Sequence, residues 1–230
     1  SRTMYASVMT ALFGRRSTHM RTWTGTAAAI VQHTTETMGR YLGVQYCPDI
    51  YLEREHALAQ IQAFMQGSPR VSGLLLVAES GTGKTSLLCH LASRWLHQPD
   101  AQVLPWLIAC QHLPEGAQRR EDTTQPGALG ILGQALRAMT GGACDAHWAS
   151  LLAHLANTLR QQGKQPMPRL VLMLDAVNEA ADPFALLQEI DSVVGLARRV
   201  AWLRCLITLR QGSYEALRAR FAACGMRWPQ

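Results

Sequence analysis

The sequence has no long apolar run, no C-x-x-C cysteine pair and almost no lysine. Its longest apolar runs, GLLLVA and RLVLML, are far shorter than the ~20 residues of a membrane-spanning helix, so no membrane span is expected. Its six cysteines and eight histidines show no metal-ligand spacing, which argues against a metal site built from side chains alone. We expect buried free thiols in a reducing compartment, the cytoplasm.

The positive charge is unevenly distributed along the chain. The net charge is +6, with five arginines against one acid in residues 1–45 and seven against one in residues 198–230. Such ends could attract nucleic acid, an anionic membrane surface or an acidic partner. Arginines dispersed without interleaved aromatics are more typical of a solvated face, so nucleic acid is a possible partner that the pattern does not favour.

Short apolar runs alternate with stretches of helical periodicity, which indicates a single α/β core domain. Because the strands are separated by helices, they are expected to form a mainly parallel sheet. Pro105 favours an edge position for its strand. We predict a basic, partly helical N-terminal extension over residues 1–45 and a core over residues 46–230. The strands are expected at 73–78, 103–109, 169–174 and 202–208, and the helices at 27–42, 58–66, 84–96, 128–139, 147–160, 184–199 and 213–223.

The segment Ala78–Thr85, AESGTGKT, follows one of the predicted strands and has the form of a phosphate-binding loop, with alanine in place of the first glycine. Gly81 and Gly83 let the backbone approach a phosphate closely and turn successive N–H groups inward. The N-terminus of the next helix adds its positive end. Lys84 supplies a compact ammonium where an arginine fork would be too wide and rigid. The residues predicted to bind the nucleotide phosphates are Ser80, Gly81, Thr82, Gly83, Lys84, Thr85 and Ser86.

A phosphate-binding loop of this kind works with Mg²⁺, for which the sequence offers two oxygen ligands. Thr85 can supply a hydroxyl, and Asp175, at the end of the apolar run LVLMLD, can support the ion, often through water. Many ATPases place a glutamate directly after this aspartate to polarise the attacking water, but this chain has Ala176 there. The nearest acid that follows is Glu179, which we predict to be the catalytic acid of a slow hydrolysis.

In this pattern the sequence resembles the signal-transduction ATPases with numerous domains, and their NACHT branch, within the P-loop NTPases related to AAA+ proteins. Their second motif has an aspartate, a small residue and an acidic pair three and four positions after the aspartate. Asp175, Ala176, Asn178 and Glu179 fit this spacing, with asparagine in place of one acid. The resemblance implies a three-layer α/β/α P-loop NTPase fold, preceded here by the helical N-terminal segment.

Two further stretches carry the resemblance, which covers roughly residues 48–212. IYLERE, at residues 50–55, is similar to the family's entry motif, a hydrophobic strand followed by Gly-Arg-Glu near the adenine, and this implies a cofactor-binding role for Arg54. CLITLRQ, at residues 205–211, resembles the sensor strand, whose threonine and arginine face the terminal phosphate. Thr208 and Arg210 match, and we expect their strand to lie beside the strand that precedes the phosphate-binding loop.

The resemblance implies a nucleotide-switch ATPase module that binds ATP or ADP with Mg²⁺, hydrolyses ATP slowly and uses Lys84, Glu179 and Arg210 in catalysis. Proteins of this family usually continue into further domains, so a larger signalling or defence-type protein, or self-association, is also implied. Two alternatives stay open. One is a DNA-associated AAA+ ATPase that uses the basic ends on the phosphate backbone, and the other is a nucleotide-binding scaffold without turnover.

Overall fold

The structure, a computed structural model, describes residues 18–68, 71–98, 103–113, 135, 169–198 and 202–223. The division of the chain at residue 45 stays a prediction. The helices predicted at 128–139 and 147–160 lie outside the described residues. The helices are α1 (Thr18–Tyr41), α2 (Glu55–Gln66), α3 (Lys84–His97), α4 (Pro183–Ala197) and α5 (Gln211–Ala223), and the strands are β1 (Gly73–Ala78), β2 (Val103–Ala109), β3 (Arg169–Asp175) and β4 (Leu203–Arg210).

The four described strands form one parallel sheet in the order β1-β4-β3-β2. The parallel α/β arrangement expected from the alternating pattern is thus confirmed for this part of the chain. β4 lies beside β1, as predicted, with Arg210 opposite Ala78. β2, the strand that contains Pro105, lies at one end of the described sheet, which agrees with the edge position that its proline favours.

Alternate residues of the strands belong to two separate apolar clusters, one on each face of the sheet. Helices therefore cover both faces. One cluster contains Leu172 of β3 and the apolar residues of α4, while the other contains Met173 of β3 and residues of α2 and α3. Burial on both faces explains why the strand sequences are continuous apolar runs and do not alternate with polar residues. α1 contributes Ile30 and Tyr41 to different clusters, since it packs along the β2 edge.

Two differences from the expected elements bear on the site. β4 extends to Arg210, which is therefore the last residue of the strand, and α5 follows at once from Gln211. The strand that the resemblance implies before Arg54 is absent, and its apolar side chains Ile50 and Leu52 are 76% and 85% exposed. Pro48 occupies the first turn of a 3-10 helix, Pro48–Ile50, and residues 51–54 pair with no strand of the described sheet.

No helix in the described part of the chain combines the length and the apolar content needed to cross a membrane.

Candidate functional site

A cleft of about 370 Å³ lies at the carboxyl ends of the strands, where open parallel sheets generally bind their ligands. The register of the sheet explains why polar residues from distant segments meet there. Arg210 is opposite Ala78, and Asp175 is opposite Ala109, so β1, β2, β3 and β4 end at the same edge. The side chains and backbone that line the cleft come from Tyr41, Gln45, Ser80, Gly81, Gly83, Lys84, Thr85, Ser86, Gln111, Asp175, Ala176, Asn178, Glu179, Thr208 and Arg210.

The loop between β1 and α3 has the backbone conformation that its glycines predict. Gly81 and Gly83 have φ of 75° and 76°, a left-handed conformation that side chains disfavour. A Cβ atom at Gly83 would also lie 2.5 Å from a guanidinium nitrogen of Arg54. α3 begins directly afterwards at Lys84, and no side chain caps its first turn. The N–H groups of that turn can therefore point to an anion.

The ammonium group of Lys84 lies over its own loop. Its Nζ donates hydrogen bonds to the carbonyl oxygens of Ala78, at 2.8 Å, and Glu79, at 2.7 Å. The hydroxyl of Thr82 is 3.4 Å away. Burial lowers the pKa of Lys84, and the negative charge of Asp175 opposes this effect. The Lys84 ammonium thus lies near the N-terminus of α3, where a phosphate could contact it.

Asp175 is nearly buried, with 2% exposure, and is surrounded by hydroxyl groups. Thr85 Oγ1 donates to one carboxylate oxygen and Thr208 Oγ1 to the other, both at 2.9 Å. The buried Tyr41 side chain lines the same cleft. Burial raises the pKa of Asp175, while the hydrogen bonds from Thr85 and Thr208 act in the opposite direction.

The contact between Thr85 and Asp175 satisfies one requirement of the predicted magnesium site. The two side chains are 90 residues apart in the chain and within hydrogen-bond distance in the structure. A threonine hydroxyl and a carboxylate are hard oxygen ligands of the kind that Mg²⁺ prefers. These residues therefore fit the ion, and both line the cleft in which nucleotide phosphates would complete its coordination.

The chain reverses direction at Ala176, directly after β3. It is the only described non-glycine residue with positive φ, at 52°, and its N–H donates to Thr208 Oγ1 at 2.7 Å. The 3-10 turn Val177–Glu179 follows directly. A small residue suits this position because the left-handed conformation disfavours bulky and β-branched side chains. The sharp reversal carries Asn178 and Glu179 over the cleft.

Glu179 and Arg210 form an ion pair in this structure. The Arg210 guanidinium donates to the Glu179 carboxylate, and the Arg210 backbone N–H donates to the side-chain oxygen of Asn178 at 3.1 Å. The Arg210 side chain is 49% exposed, and that of Glu179 is 31% exposed. The pair thus joins the end of β4 to the turn after β3 at the accessible side of the cleft.

Arg54 lies beside the loop between β1 and α3, in a second, adjoining groove. Its guanidinium packs against Gly83, and the groove is also lined by Tyr51, Glu53 and Ser86. The Tyr51 ring stacks on His90 of α3, with ring centroids 4.4 Å apart and planes inclined by 22°. Arg54 is therefore close to the loop between β1 and α3, and its role near an adenine stays a prediction, since the strand that the resemblance implies before it is absent.

The structure brings the predicted site residues together. Thr82 is the one member of the predicted loop that does not line the cleft, but its hydroxyl donates to the Glu79 carbonyl beneath Lys84. The sequence reasoning missed Tyr41, Gln45 and Gln111 as cleft residues. Gln111 could have been found, because it comes shortly after β2 at the edge where β3 ends.

No protein-family profile matches this chain, and no curated protein sequence matches it. The α/β architecture by itself is shared by proteins of many functions, so it does not identify an activity. Function is therefore inferred from the residues of the cleft.

Proposed function

We propose that this chain is a nucleotide-switch module with the three-layer P-loop NTPase fold, similar to the NACHT-type ATPases, that binds ATP with Mg²⁺ and hydrolyses it slowly. One observation carries the proposal. The glycine loop with Lys84, the Thr85–Asp175 pair and the Glu179–Arg210 pair meet in one cleft at the carboxyl edge of the sheet. A larger signalling or defence-type protein is the context that we propose for such a module.

Each group in the cleft has a distinct role in this proposal. The loop amides, the start of α3 and Lys84 would hold the phosphates, and Arg54 would contact the nucleotide from the adjoining groove. Thr85 and Asp175 would hold Mg²⁺, which would neutralise phosphate charge. Arg210 would reach the terminal phosphate from the end of β4.

Slow hydrolysis follows from the arrangement of the acids. Ala176 has no carboxylate to orient a water molecule, and the Glu179 carboxylate is bonded to Arg210. The bond to Arg210 engages one of the two Glu179 carboxylate oxygens and restricts how the side chain can turn toward a water molecule. We therefore expect turnover well below the ~1–100 s⁻¹ that is typical of kinases.

The test is ATP binding by Lys84→Ala. Loss of the charge-assisted phosphate contact should weaken ATP affinity at least ~10-fold, which corresponds to ~1.4 kcal/mol. Calorimetry on the parent protein and the variant measures the difference. Lys164→Ala, which removes the only other lysine and lies outside the motif, is the matched control and should bind as the parent does. Equal ATP affinity in the parent and Lys84→Ala would contradict the phosphate-binding role proposed for the loop.

A further inference from the structure

The hydroxyl of Thr208 joins β4 to the end of β3. Its Oγ1 donates a hydrogen bond to Asp175 Oδ1 at 2.9 Å and accepts one from the Ala176 N–H at 2.7 Å. Thr208 lines the cleft and is fully buried. We propose that Thr208 is a positioning residue for the Asp175 carboxylate and for the chain reversal at Ala176, an inference that rests on the proposed function.

The chain reversal explains why a side chain takes part here. The pairing of β3 with β4 ends at Leu174 and Ile207. Ala176 lies beyond this pair with φ of 52°, so its N–H has left the strand ladder and needs another acceptor. The Thr208 oxygen supplies that acceptor. A left-handed conformation at a residue with a Cβ persists only where its surroundings hold it, and this hydrogen bond is one such constraint.

The single proton of the Thr208 hydroxyl is used on Asp175. A hydroxyl has one donor, so Thr208 could donate to a phosphate only by releasing the carboxylate. Thr85 donates to the other carboxylate oxygen, so α3 and β4 each hold one oxygen of Asp175 and together fix its orientation. Loss of such outer partners typically lowers metal affinity by about 10- to 100-fold. This role differs from the one that the resemblance implies, in which Thr208 faces the terminal phosphate.

The experiment compares Thr208→Val and Thr208→Ser with the parent protein. A non-hydrolysable ATP analogue is titrated by calorimetry in the presence of Mg²⁺ and again with EDTA. The ratio of the two dissociation constants gives the enhancement by Mg²⁺. In Thr208→Val, which replaces the hydroxyl with a methyl group, the enhancement should fall about 10-fold, while affinity in EDTA stays within about twofold of the parent. Thr208→Ser keeps the hydroxyl and should retain most of the enhancement.

Thr34→Val is the matched control. Thr34 is also fully buried, and its hydroxyl likewise donates to an oxygen and accepts from a backbone N–H, but its partners are Pro105 and Leu107 of β2. This variant should keep the Mg²⁺ enhancement of the parent.

An unchanged enhancement in Thr208→Val, or an equal loss of affinity with Mg²⁺ and with EDTA, would overturn the role of Thr208 and leave the proposed function intact. The same loss of enhancement in Thr208→Ser or in Thr34→Val would also overturn it, because the effect would then not come from the Thr208 hydroxyl. A parent protein that does not bind the analogue, or binds it without Mg²⁺ dependence, would overturn both.

Hydrogen exchange on the parent protein tests the same proposal without a variant. If Thr208 keeps its two hydrogen bonds when the ligands bind, the Ala176 amide should exchange no faster with Mg²⁺ and the analogue than in the free protein. Faster exchange of this amide, in protein shown to bind both ligands, would indicate that the hydroxyl has turned to the phosphate and would overturn the proposal. This measurement decides the matter if Thr208→Val does not fold.

Discussion

Arg210 and Glu179 are the residues on which the switch interpretation most depends. In the described structure each satisfies the charge of the other. An exposed ion pair of this kind contributes only ~0–1 kcal/mol, so a nucleotide phosphate can displace it. A ligand shifts a conformational equilibrium only by its different affinity for the two states. ATP and ADP differ in the γ-phosphate. We expect the Arg210 side chain to break its ion pair with Glu179 and contact this phosphate.

Arg210→Ala should therefore weaken binding of a non-hydrolysable ATP analogue by ~1–3 kcal/mol and leave ADP affinity nearly unchanged. The range is that of a hydrogen bond to a charged group, reduced by the Glu179 pair that Arg210 gives up. Calorimetric titration of both ligands into both proteins measures the difference.

Glu179→Gln is the control for the Arg210 experiment, because it removes the ion pair and keeps the arginine. It should still discriminate the analogue from ADP, while its ATP hydrolysis falls below that of the parent. An equal loss of analogue and ADP affinity in Arg210→Ala would assign Arg210 a structural role and place the phosphate sensor elsewhere.

At the scale of elements, α1 packs against β2, the strand at one end of the described sheet. Thr34 of α1 is fully buried, donates to the carbonyl of Pro105 at 3.0 Å and accepts from the N–H of Leu107 at 3.1 Å. These are backbone groups of the strand at the end of the described sheet. An unpaired strand edge exposes backbone groups that can pair with another chain. Thr34 satisfies two such groups of β2 and so contributes to stability.

Thr34→Val should lower the free energy of unfolding by roughly 2 kcal/mol or more. Valine has nearly the same shape but leaves two buried backbone groups unpaired, and each unpaired group costs about 1–3 kcal/mol. Urea unfolding measures the change. Thr35→Val is the control, because Thr35 is exposed and its hydroxyl bonds only Val31 within the helix, and it should change stability by about 0.5 kcal/mol or less. Equal effects of the two substitutions would contradict the edge-capping role.

At the scale of the whole molecule, the apolar clusters on the two faces of the sheet include three cysteines. Cys89, Cys110 and Cys205 are fully buried, whereas Cys47 is exposed, and all four are free. Burial raises the pKa of Cys89 and of Cys205 to about 12 and that of Cys110 well above its usual value. The expectation that several thiols are buried is confirmed for these three.

Iodoacetamide at pH 8 should therefore modify Cys47 in the native protein and leave the three buried cysteines unmodified. With a pKa of about 12, only about 10⁻⁴ of a thiol is thiolate at this pH, and the core also excludes the reagent. Peptide mass spectrometry gives the extent of labelling at each position. In concentrated denaturant all four should react alike. Native labelling of Cys89 at the rate of Cys47 would contradict the packed core.

The sequence by itself determined the order of the strands and helices of the described part, the glycine-rich turn between β1 and α3 and the neighbour relation of β1 and β4. It placed the start of α1 at residue 27, whereas the helix begins at Thr18. Apolar periodicity and glycine positions are local properties, and they record burial and backbone conformation directly. Periodicity also placed Tyr41 on an apolar helix face, but it gave no indication that Tyr41 lines the same cleft as Asp175.

Only the tertiary structure decided that Tyr41 lines the cleft and that Glu179 pairs with Arg210, because these contacts depend on how helices and turns pack around the sheet edge. The tertiary structure also shows that residues 50–52 do not form a strand. An apolar triplet becomes a strand only where an unpaired edge and a covering face are available to it, and the sequence does not contain that information.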